Sequence, residues 1–117
     1  MPHILIVDDE PDLAGLLAYN LGRAGFTTTQ AHTGAEALER VREALPDLVL
    51  LDLMLPDMDG AELYRQLRAD PATSPLRVLV ISARPDAHTR VQGVEVILKP
   101  FKVQEVVARV TALLATP

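Results

Sequence analysis

Four short apolar runs, separated by stretches with the period of amphipathic helices, restrict this chain more than any other feature. The runs are Ile4-Leu5-Ile6-Val7, Leu48-Val49-Leu50-Leu51, Val78-Leu79-Val80-Ile81 and Val94-Glu95-Val96-Ile97-Leu98. A strand covered on one face alternates apolar with polar residues. The first three runs do not alternate, so they read as strands covered on both faces. Phe26-Thr27-Thr28-Thr29-Gln30 is β-branched but polar, which suits a sheet edge.

The intervening segments carry helix signals. Leu13, Leu16, Leu17, Leu21 and Ala24 recur at three and four, and Gly25 follows as a stop. Leu38, Val41 and Leu45 mark a second helix, opened by the capping box Thr33-Gly34-Ala35-Glu36 and closed by Pro46. Asp59-Gly60-Ala61-Glu62 opens a third in the same way, with Leu63 and Leu67 inward. Val103, Val106, Val107, Val110, Leu113 and Leu114 define the last, whose start at Lys102 lacks an N-cap side chain. The segment from Pro85 to Gly93 holds either two turns of helix or an irregular connection.

Strands alternating with helices give a parallel sheet with right-handed crossovers and helices on both faces. With the polar second strand at an edge and strands 1, 3 and 4 inside, the order is 2-1-3-4-5, a flavodoxin-like doubly wound α/β fold. One domain spanning 1–117 accounts for the 117 residues, with an expected radius of gyration of ~13 Å.

Composition removes several functions. There is no cysteine, so thiolate metal sites, disulfides and thiol nucleophiles are excluded. Eleven basic against sixteen acidic residues leave a net charge of −5, with no Lys/Arg run, which argues against a nucleic-acid surface. Two Tyr, two Phe and no Trp cannot build stacking platforms for single strands. No basic region precedes the first apolar run, and no apolar stretch nears the roughly 20 residues that cross a bilayer. The expected location is the cytoplasm, with no membrane contact.

In such sheets, ligands bind beyond the carboxyl ends of the strands. Strand 1 runs into Asp8-Asp9, strand 3 into Asp52, strand 4 ends at Ser82 and strand 5 at Lys99-Pro100. Any one of these is an ordinary loop or turn residue. All of them at one edge of one sheet form a site. Three crowded carboxylates repel one another unless a cation compensates, and oxygen ligands without His or Cys select Mg²⁺. Lys99 adds a second positive charge and Ser82 a hydrogen-bond donor, an arrangement prepared for a phosphoryl dianion.

Other polar residues read as structural. His3 starts a strand, and His32 and His88 lie in loops or near helix ends without metal-ligand spacing. Met54 and Met58 flank the Asp52 loop and pack. Glu36, Glu39, Arg40 and Arg42 form a solvated helix face.

The runs Ile4-Leu5-Ile6-Val7-Asp8-Asp9-Glu10, Leu51-Asp52-Leu53-Met54-Leu55-Pro56-Asp57-Met58-Asp59-Gly60, Ile81-Ser82-Ala83 and Lys99-Pro100-Phe101 resemble the receiver domain of two-component response regulators. The wording around Asp52 is closest to receivers that precede winged-helix DNA-binding domains. The resemblance implies that Asp52 is the phosphoacceptor, attacking a phosphohistidine on a sensor kinase or phosphotransfer protein. It implies Mg²⁺ held by Asp8, Asp9, Asp52 and the Met54 backbone carbonyl. Ser82 is the hydroxyl that moves onto the phosphoryl group, Lys99 pairs with that group, and a cis bond precedes Pro100. The signal then passes to an output domain or a downstream protein.

Two departures stand out. The Ser82–Lys99 stretch is short, so the fourth helix is truncated or unwound. Val96 replaces the aromatic whose rotation reports phosphorylation, so the homodimer such receivers form is expected to be weak or absent. Two other classes fit less well. A haloacid-dehalogenase-like phosphatase needs Asp-x-Asp, and Asp52-Leu53-Met54 lacks the second acid. A flavodoxin-like flavin binder needs a Ser/Thr-rich phosphate loop after strand 1, where this chain has acids. The expectation is a phosphorylatable relay module and not an enzyme.

Overall fold

A computed structural model describes residues 2–115. Its elements are β1 (His3–Val7), α1 (Pro11–Arg23), β2 (Thr27–Ala31), α2 (Gly34–Glu43), β3 (Leu48–Asp52), α3 (Gly60–Ala69), β4 (Arg77–Ser82), α4 (Ala87–Arg90), β5 (Glu95–Leu98) and α5 (Val103–Ala115). All five strands pair in parallel, in the order β2-β1-β3-β4-β5. The polar β2 takes an edge as its composition demands, one residue later than Phe26–Gln30, and β5 begins at Glu95 instead of Val94. The radius of gyration is 12.8 Å.

The absence of alternation in the strands has its cause in two separate cores. Ile4, Ile6, Leu48, Leu50, Leu79 and Ile81 pack with Leu17 and Leu21 of α1 and Val106 and Val110 of α5. Their neighbours Leu5, Val7, Val49, Leu51, Val78 and Val80 pack with α2 and α3 through Ala37, Val41, Leu63 and Leu67.

Helix ends follow the sequence signals with local differences. Gly25, after α1, has φ +101°, which a side chain would resist. The box on α2 forms with a shift: Thr33 Oγ1 accepts the Glu36 N–H at 3.0 Å, but Glu36 Oε1 reaches back to His32 N and not to the cap residue. On α3 there is no box. Asp59 Oδ1 accepts the Ala61 N–H, while Glu62 turns outward to Arg65. At α5, Glu105 Oε1 accepts the Lys102 N–H, which supplies a cap that Lys102 itself cannot.

Three apolar residues assigned inward are exposed, one of them Ala24, the C-cap of α1. Leu45 lies beyond the end of α2, where Ala44 has already turned extended, and Leu16 sits on the outer face of α1 beside the buried stripe Ala14-Leu17-Leu21. The Pro85–Gly93 segment resolves into the single turn α4. It is tied to α3 twice, by Tyr64 O–H donating to the Gln92 carbonyl (3.3 Å) and by an ion pair between Arg90 and Asp59. Among the described residues, no helix is long and apolar enough to cross a membrane.

Candidate functional site

Strand register assembles the site. β1 and β3 pair through Val7↔Leu51, and one step further Asp8 and Asp52 leave adjacent strands side by side. Asp52 is the last residue of β3, opposite Ile81. Ser82 ends β4 opposite Leu98, and the Lys99 N–H that follows donates to the Ser82 carbonyl at 2.8 Å. The Lys99–Pro100 bond is cis, as the resemblance implied.

Asp52 is 2% exposed and both of its oxygens are held. Oδ1 accepts the Met54 N–H at 2.9 Å, and Oδ2 accepts from Lys99 Nζ at 2.8 Å. Asp8 is fully buried. Its Oδ1 accepts the Glu10 N–H, but Oδ2 has no hydrogen-bond partner among the described residues, and Lys99 Nζ stands 3.8 Å away. Burial pushes the Asp8 carboxyl up to about 6; the Glu10 N–H opposes this rise, and the neighbouring Asp52 charge adds to it. Burial also works against the Lys99 charge. Its hydrogen bonds to Asp52 and Glu10 and the charges of Asp52 and Asp8 outweigh that, and its pKa lies above the ordinary lysine value.

The structure thus brings together Asp8, Asp52 and Lys99, with Asp9 exposed at the rim. Carboxylate oxygens of Asp8, Asp9, Glu10 and Asp52 all lie within 4.8 Å of one another. An acid cluster containing a buried, unpartnered oxygen suits a divalent cation, and the all-oxygen donor set suits Mg²⁺. No histidine joins the group: His3 bonds Thr27 and Thr29, His32 faces the Asp8 carbonyl, and His88 lies on α4. Ser82 is buried at the same edge, its Oγ accepting the Arg84 N–H at 3.0 Å. Met54 does not pack; its side chain is 54% exposed beside the site, whereas Met58 packs against the α2–α3 core.

Two residues had no assigned part. Glu10 Oε1 accepts from Lys99 Nζ at 3.0 Å, and the third acid of Asp8-Asp9-Glu10 was the signal for it. Asp57 reaches out of the loop after β3 to the N–H groups of Gly34 and Ala35, a contact with no local pattern to announce it.

Comparison with known proteins agrees with this geometry. Residues 4–111 match the family model of the response regulator receiver domain. The chain is 42% identical, over 97% of its length and 52% of the relative's, to the phosphate regulon transcriptional regulatory protein PhoB of Rhizobium meliloti. It is 47% identical, over 95% and 50%, to the DNA-binding response regulator MtrA of Mycolicibacterium smegmatis. The chain therefore spans about half the length of these curated relatives. Among solved structures, the response regulator TrrA of Thermotoga maritima, in complex with Mg²⁺ and BeF, superposes with a TM-score of 0.84 at 28% identity, covering 97% of this chain and 99% of that one.

Proposed function

This chain belongs to the response regulator receiver family, whose members accept a phosphoryl group on an aspartate in two-component signalling, and we propose that here the acceptor is Asp52. The observation that carries the assignment is a buried carboxylate at the end of β3, held by the Met54 N–H and Lys99 beside the unpartnered oxygen of Asp8. An Asp52 oxygen forms the bond to phosphorus as the phosphorus–nitrogen bond of a phosphohistidine breaks. The freed imidazole nitrogen takes up a proton from solvent. The donor is a sensor histidine kinase or a phosphotransfer protein. Lys99 loses its contact with the neutralised oxygen and pairs with the phosphoryl group, and the Ser82 hydroxyl donates to a second phosphoryl oxygen.

Asp8, Asp9, Asp52 and the Met54 carbonyl would hold Mg²⁺, which when bound screens the carboxylates from the incoming phosphoryl charge. Residues 1–117 read as one cytoplasmic receiver domain, a relay module and not an enzyme acting on other substrates. Its signal goes to a DNA-binding output domain, as the names of its relatives suggest, or to a separate protein, without direct nucleic-acid contact by this chain.

The assignment is tested by incubating the protein with acetyl phosphate and Mg²⁺. Intact mass should show one added phosphoryl group, labile to hydroxylamine and mapping to Asp52. Labelling elsewhere, or equal labelling of Asp52→Asn, overturns it.

Output through α4 and β5 should be muted. Val96 has no ring to move between two burial states, α4 is a single turn, and Arg109 is already engaged by Glu95 within the chain. A ligand shifts a conformational equilibrium only by its differential affinity for the two states. Sedimentation velocity with beryllofluoride, which stands in for the phosphoryl group, should therefore show no tight dimer. Amide shifts from Val94 to Leu98 should be small. A beryllofluoride-dependent dimer with large shifts there would show that this face still switches.

A further inference from the structure

The loop from Leu53 to Asp59 is fastened to α2 by a residue that the reaction does not use. Asp57 Oδ1 accepts the Gly34 N–H at 2.8 Å and Oδ2 the Ala35 N–H at 3.0 Å. Thr33 Oγ1 takes the Glu36 N–H, and the Ala37 N–H bonds the Thr33 carbonyl. The orphan donors of Gly34, Ala35 and Glu36 in the first turn of α2 are thereby satisfied, two of the three by another loop. The same two N–H groups hold the Asp57 carboxyl below its ordinary value. Met58 lies over Gly34 so closely that a Cβ there would meet its Cγ and Sδ at 2.5 Å.

The loop is also closed on itself. Gly60 N–H donates to the Leu53 carbonyl at 2.9 Å, and Met54 bridges to Asp59. Met54, one end of that bridge, also donates its N–H to Asp52 Oδ1.

We propose that Asp57 is a positioning residue for the chemistry at Asp52: by gripping the first turn of α2 it holds the loop so that Met54 keeps its place beside the acceptor carboxylate. The proposal rests on the reading of Asp52 as acceptor and Met54 as a carbonyl ligand. Asp57 has no hydrogen bond to the acceptor or the acid cluster; it acts on Met54 through the backbone of Leu55 and Pro56. Loss of the grip releases the segment that supplies one hydrogen bond to Asp52 and one carbonyl to Mg²⁺.

The experiment compares Asp57→Ala, Asp57→Asn and Thr33→Ala with the parent. Mg²⁺ dissociation constants come from calorimetry, and labelling by acetyl phosphate is measured at saturating Mg²⁺. Asp57→Ala should weaken Mg²⁺ by roughly 3- to 10-fold, less than the loss of a direct ligand partner, and should slow labelling at saturation. Asp57→Asn keeps one acceptor oxygen and should recover most of both. Thr33→Ala removes a cap from the same helix without touching the loop, so it should lower the melting temperature while leaving the Mg²⁺ affinity unchanged. Parent-like Mg²⁺ affinity in Asp57→Ala overturns the proposal, and so does equal weakening in Thr33→Ala. A parent that neither binds Mg²⁺ nor takes the label overturns the reading of Asp52, and this proposal with it.

Discussion

Asp8→Asn should have two opposite effects: a metal-free protein that melts about 5–10 °C above the parent at pH 7.5, and phosphoryl uptake reduced at least 10- to 100-fold in Mg²⁺. Asp8 is fully buried and titrates near 6, against 3.8 for an ordinary aspartate. Between those pH values the folded chain keeps a proton that the unfolded chain has lost. The Asp8 contribution to metal-free stability therefore falls as pH rises through this window, by about 3 kcal/mol, and is flat above it. Asparagine removes that penalty but places an amide where the unpartnered oxygen stood, which returns about 1 kcal/mol of it. Thermal melts in EDTA from pH 4 to 8 check the sign: the advantage of the variant should vanish near pH 4. Millimolar Mg²⁺ should stabilise the parent by mass action and not the variant. A parent whose metal-free stability rises between pH 4 and 6 would contradict the argument.

Gly60→Ala should be the most damaging small substitution near the site. A Cβ at position 60 would lie 2.5 Å from Leu53 Cα, 2.6 Å from the Asp52 carbonyl oxygen and 2.9 Å from the Leu53 carbonyl oxygen. All three are backbone atoms, so relief requires the end of β3 to move. The expected loss is about 3 kcal/mol, together with lost Mg²⁺ binding, because the displaced backbone carries Asp52. Gly34→Ala is the useful contrast. The three atoms nearest its Cβ would all belong to the flexible Met58 side chain, and about 1 kcal/mol is expected. Urea titrations of both variants, each with and without Mg²⁺, separate the two cases. Equal losses would mean that backbone proximity at Gly60 is not the determinant.

Much of this was legible because it depends on pattern. Three unbroken apolar runs and one polar β-branched run determine which strands are central, and the sheet order places Asp8, Asp52, Ser82 and Lys99 at one edge. What escaped depends on side chains that cross between segments. Asp57 reaches α2 from a loop 22–23 residues away in sequence, and no local spacing marks it as a cap. Glu62 stands where a capping box requires it, yet the nearby Arg65 draws it outward. Leu45 kept helical spacing after the helix itself had ended. Glu10 was visible as an acid, but its partner Lys99 lies 89 residues on.

The sheet that carries this site poses an alignment problem. Where one face of a strand is polar, a slip of one residue turns the wrong side chains inward and is rejected. β1, β3 and β4 are apolar on both faces, so a one-residue slip merely exchanges Ile for Leu or Val between the two cores. Hydrophobicity alone thus leaves their register nearly free. The polar residues at the carboxyl ends remove that freedom. Sliding β3 inward by one step would carry Asp52 between apolar neighbours, away from Lys99, and sliding β4 would take the Ser82 carbonyl away from the Lys99 N–H. The groups assigned to phosphoryl chemistry therefore serve a second purpose during folding, as end-stops that tell each interior strand where to halt.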